Sequence, residues 1–145
     1  MEKIDTFNIR VYGLLVHNQS LLIIKEPYAG EILYKLPGGG LEFGESLIDG
    51  LKRELKEELD LDLCAARHFY TQEDFMVSRF RTNEQLLLIY FLIEVDNIQD
   101  LKKRDPSIDE IMWIPLNELK TQHVNLPTDQ LVIERFLKER KDNSL

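Results

Sequence analysis

Residues 38–61 read GGGLEFGESLIDGLKRELKEELDL, and no other stretch restricts the fold of this chain as tightly. Ser46, followed three residues later by Asp49, forms a capping signal ahead of Leu47, Ile48, Leu51, Leu55 and Leu59, which recur at helical spacing. The spacing predicts a helix over residues 46–59. At about 100° per residue, Ile48, Leu51, Leu55 and Leu59 share an apolar face, and Glu54, Glu57 and Glu58 share a neighbouring one. Like charges so placed weaken an isolated helix by a few tenths of a kcal/mol per pair. A divalent cation removes that conflict, because hard ions such as Mg²⁺ and Mn²⁺ prefer carboxylate, carbonyl and water oxygens. Gly50, one turn before Glu54, costs about 1 kcal/mol relative to Ala in a helix interior. The cost makes sense if another backbone or a ligand approaches there.

Arg53 lies one turn before Glu57 and can reach back to Glu45, which makes it an orienting partner for carboxylates. Upstream, Leu36 and Pro37 lead into Gly38, Gly39 and Gly40, a rigid turn followed by residues that admit positive φ and close backbone approach. Carbonyls or amides of that loop can face a metal ion and phosphates.

These residues carry a resemblance to the Nudix hydrolases, a family that cleaves nucleoside diphosphates linked to another moiety. Gly39, Glu45, Arg53, Glu54, Leu55, Glu57, Glu58 and Leu61 match the family box position by position. At ordinary residue usage such a match arises by chance on the order of once in 10⁸ starting points. Asp60 departs from the pattern, standing where the family places Gly at the left-handed end of the helix. Asp tolerates that region better than most residues, so a small stability cost is expected and no loss of metal ligands.

The resemblance implies an α/β fold, the α/β/α sandwich with a mixed sheet, and a Mg²⁺- or Mn²⁺-dependent pyrophosphohydrolase of the acid-anhydride class. Its substrate would be a nucleoside triphosphate or a nucleotide sugar. The metal ligands so implied are Glu54, Glu57, Glu58 and a carbonyl near Gly38, with Glu110 as an added ligand. Glu54 is the candidate general base, Glu84 a further loop carboxylate, and Arg53 and Glu57 complete the catalytic group. Gly39, Gly40, Glu45, Arg79 and Arg81 are candidate substrate contacts. A second reading is a Nudix-like sensor that binds a nucleotide metabolite without turnover. ADP-sugar members often carry a Pro near the position of Val77, and none occurs here; coenzyme A and NADH subgroup motifs are also not visible.

At 145 residues the chain is long enough for one domain, residues 1–145, to bury a core without staples. Its net charge of −8 argues against nucleic-acid polymers and acidic membranes as partners, and a polyphosphate would need a metal and local Arg or Lys to approach. The lone Cys64 cannot form an internal disulfide. The longest apolar run, residues 86–95, is too short to span a bilayer, and no cleavable leader pattern is present, so the expected location is cytoplasmic. The resemblance is compatible with a homodimer.

Strands are predicted over residues 7–16, 21–25, 32–36, 61–70, 85–95 and 110–114, the fifth of them buried on both faces. A helical turn is expected over residues 116–120. A last helix should begin near Thr128 with Val132, Ile133, Phe136 and Leu137 inward. Tyr34 stands where many family members have Trp. His17, His68 and His123 are read as surface or structural residues and Cys64 and Trp113 as packed. Tyr28, Phe43, Phe75 and Phe80 are read as core padding ahead of the alternative, stacking on a base.

Overall fold

The computed structural model describes residues 3–142. Strands β1 (Thr6–His17), β2 (Ser20–Tyr28), β3 (Glu31–Lys35) and β4 (Gly38–Gly40) precede helix α1 (Leu47–Leu59). Strands β5 (Leu63–Thr71), β6 (Glu84–Val95) and β7 (Glu110–Pro115) follow, and helix α2 (Pro127–Lys141) comes last. The sheet runs β3-β2-β1-β6-β5, with β4 paired to β1 and β7 to β2. It is mixed, because β1 and β6 are parallel whereas every other named pair is antiparallel.

Period-two alternation distributes the central strands between two cores. Val11, Leu15, Leu22, Ile24, Ile89, Phe91 and Ile93 pack with the leucines of α1. Tyr12, Leu14, Leu21, Ile23, Leu88 and Tyr90 pack with Val132, Ile133 and Phe136 of α2. The helices therefore cover opposite faces, giving the α/β/α sandwich. Among the described residues no helix is long and apolar enough to cross a membrane.

Several local expectations are corrected. Gly38–Gly40 is a short strand as well as a turn, held in register with Arg10, Val11 and Tyr12. Gly38 has φ 141, and a side chain there would overlap the Val11 carbonyl. The close approach thus comes from β1. Strand β2 continues through Pro27, which faces Ile32 of β3 at a position beyond the end of the β7 pairing, so its missing N–H interrupts no ladder on that side. Strand β6 is buried in its middle, but Leu87 near its start is exposed. The expected helical turn at residues 116–120 is irregular turn structure, and a short 3₁₀ segment, Thr121–His123, follows it.

Cys64 is exposed, because β5 buries Leu63 and turns the next side chain outward. Tyr28, Phe43 and Phe75 are exposed as well, against the core reading. Tyr28 ends β2, and Phe43 and Phe75 lie in connecting segments.

Candidate active site

Helix α1 begins where the capping signal places it. Ser46 is extended, and its side chain accepts a hydrogen bond from the Asp49 N–H at 3.0 Å. The helix ends at Asp60, which takes the left-handed conformation with φ 58 and ψ 31 and donates its N–H back to Leu55 and Lys56. The segment after β6 closes this end from outside: the N–H groups of Arg104 and Asp105 donate to the Glu58 carbonyl at 2.9 and 3.3 Å. Helix α1 is thus fixed at both ends, and its glutamate face is set against β4.

Glu54 leans on the glycine strand. A Cβ added at Gly39 would lie 2.6 Å from the Glu54 carboxyl carbon, so only glycine leaves room for that carboxylate. Gly50 is crowded by the side chains of Leu41 and Glu45, so protein side chains occupy the space that its missing Cβ leaves. Glu58, one turn beyond Glu54, is 5% exposed. Among the described residues its Oε1 has no hydrogen-bond partner. Burial pushes the Glu58 carboxyl up to about 8; Lys35 opposes this, while Glu54 reinforces it through repulsion and by hydrogen bonding to the protonated form.

A buried carboxylate with an orphaned oxygen, next to a second carboxylate, is an arrangement that a hard cation would stabilise. Among the described residues no three His, Cys, Asp or Glu side chains form a ready-made metal cage. Two carboxylates open to substrate oxygens and water still suit Mg²⁺, which is commonly held in that way.

Arg53 organises the rim of this site. Its Nε donates to Glu45 Oε2 at 2.6 Å, and its terminal nitrogens donate to Glu45 Oε1, Glu54 Oε1, Glu57 Oε2 and the Gly40 carbonyl. The hydrogen bond to Glu45, opposed by burial and joined by Glu54, holds the guanidinium firmly charged. Both Glu45 oxygens are thereby engaged, and Glu45 also accepts the Glu42 N–H. Glu45 is a brace for Arg53 and not among the cleft-lining residues, contrary to its expected place among the substrate contacts. Glu57 is 59% exposed and turned toward Arg53 on the helix flank, adjacent to the Glu54–Glu58 pair and outside the cleft lining.

The pair opens into a cleft of about 680 Å³, within the size range of small-molecule sites. Gly38, Gly39 and Gly40 line it, as do Arg79, Arg81 and Glu84 from the segment that leads into β6. Glu110 does not. Strand pairing sets Glu110 opposite Lys25 at the exposed start of β7, away from the other proposed ligands. The loop carboxylate that does reach the cleft is Glu84, 13% exposed and accepting from Asn8 at 3.3 Å. Tyr28 and Phe80 meet edge to face in the cleft wall, with centroids 4.9 Å apart. The three histidines lie elsewhere.

Three further cleft residues carry no role in the sequence analysis: Lys35, Arg10 and Asp129. Lys35 is 7% exposed and pairs with Glu26 at 3.0 Å; burial works against its charge, but Tyr12, Glu58 and Glu26 outweigh that effect. Arg10 extends from β1 and donates from Nε to the Tyr12 hydroxyl at 2.5 Å. Asp129 is fully buried at the start of α2, accepting from the Tyr90 hydroxyl at 2.5 Å and from the Leu36 N–H at 3.3 Å. Burial pushes Asp129 up to about 6 despite those bonds. The signal was available in each case: Arg10 and Lys35 are charges on the inward side of alternating strands, and Asp129 interrupts the apolar stripe of Val132, Ile133 and Phe136.

The sequence profile of the NUDIX domain matches residues 7–136. Nucleoside triphosphatase NudI of Enterobacter sp. (strain 638) is 28% identical over 99 residues, covering 66% of this chain and 70% of the relative. Phosphatase NudJ of Shigella boydii is 28% identical over 115 residues, covering 78% of this chain and 72% of the relative. The solution structure of the E. coli ORF135 protein superposes with a TM-score of 0.77 at 18% identity, covering 93% of this chain and 91% of that one. The MutT NUDIX hydrolase of Burkholderia pseudomallei superposes with a TM-score of 0.75 at 17% identity, covering 90% and 98%. At such identities the two structures speak to the fold alone. With the domain match spanning the glycine strand, α1 and both cores, the chain belongs to the NUDIX family and is one of its pyrophosphohydrolases.

Proposed function

We propose that this protein hydrolyses the diphosphate linkage of a nucleoside diphosphate derivative, a nucleoside triphosphate or a nucleotide sugar, with Mg²⁺ or Mn²⁺ bound at the Glu54–Glu58 pair. The observation that carries the reading is the buried Glu58 carboxylate beside Glu54 and the glycine strand, whose Oε1 lacks a partner among the described residues. Glu54, Glu58 and the Gly38 carbonyl are the donors, with Glu57 joining from the flank. Bound there, the ion supplies neutralisation of phosphate charge and acidification of water.

The chain's own groups do the rest. Among the described residues carboxylates outnumber basic groups six to four along the cleft wall, so a polyphosphate is repelled unless a cation intervenes. Arg53 fixes Glu54 through Oε1 at 2.9 Å, which leaves Oε2 as the proton acceptor. The water oxygen bonds to phosphorus, its proton passes to Glu54, and the bridging P–O bond breaks with the leaving phosphate taking the electron pair. Glu84 is the second carboxylate that can assist from the opposite wall. Tyr28 and Phe80 offer aromatic surface for a base at the mouth. Nucleoside triphosphatase activity in the name of one relative supports testing triphosphates first.

The test is a panel of nucleoside triphosphates and nucleotide sugars assayed with Mg²⁺, with Mn²⁺ and with chelator, the products being identified. Metal-dependent release of a nucleoside monophosphate, or of a sugar phosphate with a nucleoside monophosphate, is expected. Tight binding of a panel member without product in either metal would replace this reading by a non-catalytic one.

A further inference from the structure

Among the described residues four basic side chains line the cleft, and three of them are held by carboxylates. Lys35 pairs with Glu26 at 3.0 Å, Arg79 with Glu31 at 3.2 Å and Arg81 with Glu84 at 3.8 Å. Arg10 differs. Among the described residues it makes no ion pair, and its one side-chain hydrogen bond runs to a neutral acceptor, the Tyr12 hydroxyl. That bond uses Nε, and the guanidinium carbon also stands 5.7 Å from the Tyr12 ring centroid. The two terminal amino groups are left without a protein hydrogen bond among the described residues. One of them lies 3.7 Å from where a Gly40 Cβ would stand, so the fork sits beside the glycine strand that also carries Glu54.

Burial works against the Arg10 charge, and Tyr12, Glu54 and Glu58 favour it without pairing with it directly, so its terminal donors are left for an anion to satisfy. A planar guanidinium fixed at Nε presents its terminal donors in the geometry that matches two oxygens of one phosphate. Strand β1 is central in the sheet, and side chains on such elements are positioned more precisely than those on loops. Arg79 and Arg81, by contrast, are exposed, lie on a connecting segment and are already paired with glutamates.

We propose that Arg10 is a substrate-binding residue that clamps one phosphate of the diphosphate with its terminal amino groups, while the neighbouring phosphate engages the Glu54–Glu58 side of the cleft. The proposal rests on the reading of the cleft as a diphosphate site. Tyr12 is its positioning partner, holding Nε so that the fork faces the cleft. Lys35, spent on Glu26, cannot take over this role.

The test titrates methylenediphosphonate, which keeps two charged phosphorus groups but has no P–O–P bond to cut, into the full-length protein with Mg²⁺. Arg10→Gln should weaken binding by about 10- to 100-fold, the range of a lost charge-assisted hydrogen bond. Arg10→Lys should fall between Gln and the parent, because an ammonium keeps the charge and loses the fork. Lys52→Gln, which removes an exposed charge of α1 outside the cleft, should bind as the parent does. Parent-like affinity in Arg10→Gln overturns the proposal. If Arg10→Gln does not fold, as its melting curve would reveal, Arg10→Lys decides, and parent-like affinity there overturns it too. Binding is read without turnover, so a protein that loses the diphosphonate on Arg10 substitution yet hydrolyses no nucleotide would sink the proposed reaction and leave the clamp standing.

Discussion

Asp129 and Glu58 are both buried carboxylates, yet their surroundings give them different chemistry. Each oxygen of Asp129 is satisfied, by the Tyr90 hydroxyl and the Leu36 N–H, whereas Glu58 keeps an oxygen with no partner among the described residues. Asp129 therefore acts as a tie between α2 and the entry to the glycine strand. Its folded-state pKa of about 6 lies above the ordinary 3.8, raised by burial. The protonated form is favoured by folding, so its contribution is fully present below about pH 4 and is lost as pH rises to about 6. In melting curves recorded from pH 3 to 8, the stability of the parent relative to Asp129→Asn should fall across that window and stay level above it. Parallel profiles would contradict this. Arg53 illustrates what can be read at this scale, since the reach to Glu45 follows from spacing alone. Its further bonds to Glu54 and the Gly40 carbonyl depend on how β4 meets α1, and Arg10, although legible as an inward charge on an alternating strand, takes its role from neighbours across the cleft.

At the scale of elements, α1 shows how a departure from the family pattern is accommodated. Asp60 stands in the left-handed position usually given to glycine, and Lys56, Lys102 and Arg104 surround it at 3.2, 3.5 and 3.7 Å. Lys56 leads in holding the Asp60 carboxyl below its usual range. These pairs are exposed and individually weak, but they favour an acid where an alanine would bring only the cost of positive φ. Asp60→Ala should accordingly lower the melting temperature more than Asp60→Gly, which loses the ion pairs and gains conformational ease. The reverse order in thermal denaturation would show that the cost of positive φ does not govern this helix end. The extent of α1 was legible because cap, apolar period and C-terminal turn agree. Strand β4 was not, because three glycines carry no strand propensity and pair only through the register imposed by β1. Cys64 was misplaced for a related reason: which side of β5 faces the core is decided by its pairing with β6, not by the polarity of the segment.

For the whole molecule, the order of the sheet brings the site together. Strand β1 contacts β4, β2 and β6, so residues far apart in the chain, Arg10, Gly39 and Glu84, face one cleft. The position-by-position match to the family box made the architecture legible, whereas the cleft's outer wall depends on segments with little pattern of their own. Glu110 was chosen from its sequence neighbourhood, and the pairing of β7 with β2 carries it away, while Glu84 arrives through the parallel β1–β6 pairing. With net charge −8 and carboxylates in the majority around the cleft, the account makes one demand on the molecule: activity must depend on Glu58 as a carboxylate beside the glycine strand. The direct measurement is the initial rate of phosphoanhydride hydrolysis against Mg²⁺ and Mn²⁺ concentration for the parent and for Glu58→Gln, with folding verified by circular dichroism. The account predicts a folded variant whose kcat is lower by at least about 10², comparable to removing a major electrostatic stabiliser of the transition state; near-parent turnover by Glu58→Gln at saturating metal would contradict it.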